Sequence, residues 1–193
     1  MSGHRQTPSQ TIGPFFHDAL MSPARDRLDP GGVAGQPIVV HGEVRDGTGA
    51  PVGDAMLEIW QADGGGRYRH PADPRAGQVP EGFLGFGRVA TDREHGRYRA
   101  TTVMPGQVPG AGGQPQAPHL NVLVFARGLL HHLHTRIYFP GALEGGLDAA
   151  LAGVPEPRRA TLVARAEEPV DGVPHFRFDI RLQGDGETVF FDA

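Results

Sequence analysis

The sequence predicts an all-β fold: an antiparallel β-sandwich with an extended N-terminal arm and one short helix. Two observations predict it. Apolar residues recur with period two and almost nowhere with the helical period, and turn signals separate these runs at short, even intervals. Gly 29 and Pro 18 supply the backbone punctuation and together make up about a quarter of the 193 residues.

The elements follow in order. In 38–44, Ile38, Val40 and Val44 share one face, with Val39, His41 and Glu43 on the other. In 55–60, Ala55, Leu57 and Ile59 oppose Met56, Glu58 and Trp60. Further strands are expected at 86–91, 96–103, 119–127, 132–139 and 161–167. The clearest alternation is 175–182, where Phe176, Phe178, Ile180 and Leu182 interleave with His175, Arg177, Asp179 and Arg181. Such patterns mark half-buried strands. Asp46-Gly47, Asp63-Gly64-Gly65-Gly66, His95-Gly96 and Asp171-Gly172 supply turns. Leu147, Ala150 and Leu151 mark the one helical turn. The sandwich domain takes 37–193. Residues 1–36 are an arm that cannot build its own core, although Thr11-Ile-Gly-Pro-Phe-Phe-His17 carries an apolar patch suited to docking.

Composition narrows the function. With no cysteine, disulfides and thiolate metal sites are excluded. A net charge of −4 and the lack of Lys/Arg runs argue against nucleic acid. No apolar run approaches the roughly 20 residues that span a bilayer, and the first residues lack a secretory hydrophobic core. The expectation is a soluble, cytoplasmic protein.

Several residues are candidates for chemistry. On a strand, His119, Asn121, Leu123, Phe125 and Arg127 share a face, polar at both ends. His119 reads either as a metal ligand or as a buried, hydrogen-bonded imidazole. His132 and His134 also share a face, and a solvated or interface face is the simpler account. Tyr68 follows a glycine run at a loop edge. Arg127, at a strand end, can clamp a carboxylate through two parallel hydrogen bonds or form a surface ion pair.

Four stretches resemble the intradiol ring-cleaving dioxygenases. They are Thr7-Pro-Ser-Gln-Thr-Ile-Gly-Pro-Phe-Phe-His17, Leu57-Glu-Ile-Trp-Gln-Ala-Asp63, Ala117-Pro-His-Leu-Asn121 with Phe125-Ala-Arg-Gly128, and the run from Phe176 to Asp192. The resemblance spans nearly the whole chain. It implies a prealbumin/immunoglobulin-like sandwich in which two tyrosines and two histidines hold Fe(III), a hard ion that favours anionic oxygen. The four positions map onto Tyr68, Val108, His119 and Asn121. Two of the donors are missing, and Gln116 stands where catalytic members place an arginine. The resemblance therefore implies a non-catalytic chain with no metal of its own. Its partner would be a homologous beta chain that binds the iron, and the pairs would assemble into a higher oligomer. Thr11, Gly13, Pro14 and Arg127 would line the pocket for a small aromatic substrate, with Arg127 meeting a ring carboxylate. The alternatives are a homomeric catechol or hydroxyquinol dioxygenase and a binding module for small aromatic acids.

Overall fold

The computed structural model describes residues 9–11, 13, 19–21, 26–110, 113–144 and 149–192. The apolar patch around Pro14 and the expected helical residue Leu147 lie outside them. Among the described residues the regular structure is mostly strand: β1 (Pro37–Arg45), β2 (Met56–Trp60), β3 (Phe86–Ala90), β4 (Arg97–Val103), β5 (Val108–Pro109), β6 (Pro115–Gln116), β7 (His119–Phe125), β8 (Leu133–Tyr138), β9 (Arg165–Val170), β10 (Val173–Arg177) and β11 (Ile180–Arg181). One sheet runs β11-β1-β10-β9, with β4 also paired to β1; a second runs β3-β2-β7-β8; β5 and β6 form a small ribbon.

Alternating residues meet as the period-two pattern requires. Ile38, Val40 and Val44 of β1, Leu57 and Ile59 of β2, and Leu120, Val122 and Val124 of β7 are buried in one apolar cluster that draws on both larger sheets. Gln61, fully buried just after β2, ties the sheets together. Its amide donates to the Val103 carbonyl (3.0 Å) and accepts from the Thr102 hydroxyl (2.6 Å).

Three expectations need correction. The sheets are not wholly antiparallel, because β1 pairs in parallel with β10 and with β11. Alternation reports which face of a strand is buried and says nothing of its neighbour's direction. Second, the run 175–182 is two strands in one register on β1, interrupted at Phe178 and Asp179. There side chains take over the ladder. The Glu43 amide donates to Asp179 Oδ1 (3.0 Å), and the buried Tyr98 hydroxyl donates to the Phe178 carbonyl (2.6 Å).

Third, the helix expected around 147–151 is two short ones, α1 (Ala149–Ala152) and α2 (Glu156–Arg159), followed by a 3₁₀ turn at Ala160–Leu162. Gly153-Val154-Pro155 divides them, since proline lacks an N–H and disfavours helical backbone in the residue before it. Leu151, Val154 and Leu162 cover Tyr138 at the end of β8, which moves the strand expected at 161–167 on to 165–170.

Residues 26–36 are fastened to the sheets. Leu28 is fully buried, and its amide donates to the Thr101 carbonyl (3.0 Å). No helix among the described residues is long and apolar enough to cross a membrane.

Candidate functional site

Tyr68 is set by the loop that follows β2. The Asp63 carboxylate accepts from the amides of Gly65 and Arg67 (both 2.9 Å) and pairs with the Arg67 guanidinium (2.7 Å). Gly66 has φ +72°, and a Cβ there would stand 1.8 Å from the Gln107 carbonyl oxygen. Only glycine lets the two loops touch, and that contact brings Tyr68 beside Val108. The Tyr68 amide then donates to Asp73 (2.9 Å).

Around Tyr68 the structure gathers three of the four mapped ligand positions. The Tyr68 ring lies 4.5 Å from the Trp60 ring, and Asn121 Nδ2 donates to the Tyr68 hydroxyl at 3.5 Å. Tyr68 and Val108, with Trp60, His70, Asp73 and Arg75, line a cavity of about 350 Å³. His119 sits two residues from Asn121 on the same face of β7. It is buried, with Nδ1 2.7 Å from the Ala117 carbonyl and its ring 5.5 Å from that of Tyr138.

These side chains do not fit a ferric ion. Val108 offers only hydrocarbon and is 5% exposed. The Asn121 amide turns its Nδ2 toward Tyr68, and its oxygen is a poor replacement for an imidazole nitrogen on iron. Burial pushes the Tyr68 phenol above its ordinary pKa, and neither the Asn121 hydrogen bond nor the Arg136 charge offsets this. Gln116 is bound in turn, its Oε1 accepting from Arg136 (2.7 Å). The His132 and His134 rings lie tilted against those of Phe125 and Phe191, with centroids 5.5 and 5.8 Å apart, which suits the simpler reading of that face.

The residues mapped to substrate binding lie elsewhere. The Gly128 amide donates to Thr11 Oγ1 (2.9 Å), so the arm meets the chain one residue beyond Arg127. Gly13 holds φ +72°, a conformation that side chains rarely adopt, and Pro14 lies outside the described residues. The Arg127 guanidinium pairs through Nε with the Asp54 carboxylate. Four residues of strand, about 13 Å at roughly 3.3 Å each, separate Asn121 from Phe125, and Arg127 stands in the turn just beyond. The predicted residues thus form two groups, one along the start of β7 and one past its end. Asp54 carries no sequence signal of its own. It becomes visible only through the register of β2 on β7, which pairs Met56 with Phe125 and, continued outward, sets Asp54 opposite Arg127.

Comparison with known proteins identifies the lineage. A family model described as dioxygenase matches residues 12–184. The chain belongs to the intradiol dioxygenase family. It is similar to the protocatechuate 3,4-dioxygenase alpha chain of Pseudomonas putida, 43% identical over 97% of this chain and 96% of that one. The beta chain of Burkholderia cepacia protocatechuate 3,4-dioxygenase is 35% identical over 93% of this chain and 77% of its own length. Among solved structures, catechol 1,2-dioxygenase from Acinetobacter sp. ADP1 superposes with a TM-score of 0.62 at 25% identity, covering 86% of this chain and 60% of that one. The all-β architecture is the family's.

Proposed function

We propose that this chain is the non-catalytic alpha subunit of a protocatechuate 3,4-dioxygenase. The sandwich domain, residues 37–193 in the prealbumin/immunoglobulin-like class, and an arm of residues 1–36 together cover one side of the substrate pocket. The homologous beta chain holds the Fe(III). The reaction breaks the ring bond between the two hydroxyl-bearing carbons of protocatechuate, and both atoms of O2 enter the resulting carboxymuconate. This chain's part is recognition. Thr11, Gly13 and Pro14 shape the pocket wall, and Arg127 meets the ring carboxylate that plain catechol lacks. A desolvated charge-assisted pair of that kind discriminates strongly between the two substrates. The assembly is cytoplasmic, a higher oligomer of alpha–beta pairs.

One observation supports this reading above the others: at the mapped ligand positions a valine and an amide replace one phenolate and one imidazole, leaving a single tyrosine and a single histidine. A homomeric dioxygenase would have no site for its metal there. The test is iron content and visible absorbance of the chain purified alone and co-purified with its iron-binding homologue. The expected result is a colourless, inactive chain and a coloured complex that cleaves protocatechuate. A chain that binds iron and cleaves a catechol by itself overturns the reading. A chain that carries an aromatic acid without pairing with any homologue makes it a binding module.

A further inference from the structure

We propose that Asp54 is a positioning residue that aims the Arg127 guanidinium at the substrate carboxylate; the inference rests on the function proposed above. The Arg127 guanidinium forms an ion pair with the Asp54 carboxylate, Nε being its nearest nitrogen. A guanidinium carries five N–H donors, more than one carboxylate can take, so an arginine held by Asp54 keeps donors for a second carboxylate.

The anchor is more rigid than the group it holds. Asp54 has a side chain 20% exposed, against 64% for Arg127. Its backbone is clamped on both sides. The Thr91 hydroxyl donates to the Val52 carbonyl (2.8 Å) and accepts from the Ala55 amide (2.9 Å). Gly53 packs directly on the Arg93 backbone, where a Cβ would stand 2.3 Å from the carbonyl oxygen. An exposed arginine would otherwise surrender rotamer freedom on meeting its ligand; fixing it beforehand removes part of that cost. Thr11 holds the next residue, bonded to the Gly128 amide. Asp54 thus acts on the substrate only through Arg127.

The test uses the assembled alpha–beta complex, with kcat and KM measured on protocatechuate and on catechol. Asp54→Asn, of equal size, is expected to raise KM for protocatechuate about tenfold with kcat nearly unchanged, and to leave both catechol constants within about twofold. Asp54→Glu should restore most of the affinity. In the double variant with Arg127→Ala the two losses should not add, because the aspartate has nothing left to aim. Asp54→Ser repeats the test should the asparagine variant fail to assemble, which iron content and absorbance would reveal.

If Arg127→Ala leaves both substrates unchanged, the reading of Arg127 as the carboxylate clamp fails. If Arg127→Ala weakens protocatechuate while the Asp54 variants do not, or if they tighten it, the positioning role is overturned. Tightening would mean that Asp54 competes with the substrate for the guanidinium.

Discussion

Gln61→Leu tests whether the buried amide that joins the sheets holds the scaffold in register. Leucine fills nearly the same volume but carries no polar atoms. Three partners would lose their bonds: the Thr102 hydroxyl and the carbonyls of Ala62 (2.9 Å) and Val103 (3.0 Å). All three residues are almost wholly buried, so water cannot replace the lost bonds. An orphaned buried polar group costs about 1–3 kcal/mol. Three at the low end amount to about 3 kcal/mol, or roughly 6–12 °C in melting temperature for a chain of this length. Urea unfolding, followed by the fluorescence of Trp60, the single tryptophan, reads the loss directly. The double variant with Thr102→Val should recover about 1 kcal/mol relative to the sum of the single changes, since the hydroxyl is then gone rather than stranded. A loss below about 1 kcal/mol, or strict additivity in the double variant, refutes the reasoning.

Other outcomes are equally definite. Val108→Tyr with Asn121→His should give the isolated chain measurable iron binding and a visible ferric-phenolate band; no gain in bound iron means that these positions do not converge. Gly66→Ala should destabilise the chain by upwards of about 2 kcal/mol and alter Trp60 emission, because the added methyl meets the Gln107 carbonyl. Stability should fall as pH drops through the carboxylate range. Burial opposes ionisation of Glu43, but Arg45, Arg97 and Arg177 outweigh it and hold the pKa down. At Asp73 the Tyr68 amide does the same, against burial, with Arg75 assisting. Folded pKa values below the unfolded ones mean stabilisation present above the ordinary carboxylate pKa and lost as pH falls through the folded value. Urea midpoints measured from neutral to about pH 3 should decline in the wild type and less steeply in Glu43→Gln.

What could be read from sequence was local. Phe176, Phe178, Ile180 and Leu182 announce their buried face because a pleated strand alternates whatever surrounds it. The break after Arg177 could not be read, since it depends on Tyr98 and Glu43, distant residues that supply the missing ladder partners. The parallel pairing of β1 with β10 was hidden for the same reason. Tyr68, Val108 and Asn121 could be mapped by resemblance, but their convergence is built by backbone contact between two glycine-bearing loops. Arg127 could be singled out as a cation at a strand end. Asp54 could not, because a cross-strand pair is fixed by register, and register belongs to the sheet rather than to either strand.

The placement of the two groups relative to β7 bears on how such a subunit can arise. Substitutions more than about 10 Å apart and without shared partners affect a protein nearly independently, and about 13 Å of strand lies between Asn121 and Phe125, with Arg127 beyond it. Changes at 108 and 121 therefore leave the anchoring of Arg127 by Asp54 and of the arm by Thr11 untouched. Under the proposed function, one copy of a duplicated gene can drift at its donor positions while selection still acts on Arg127. A spatial separation along one stretch of chain then becomes a separation of duties between two polypeptides.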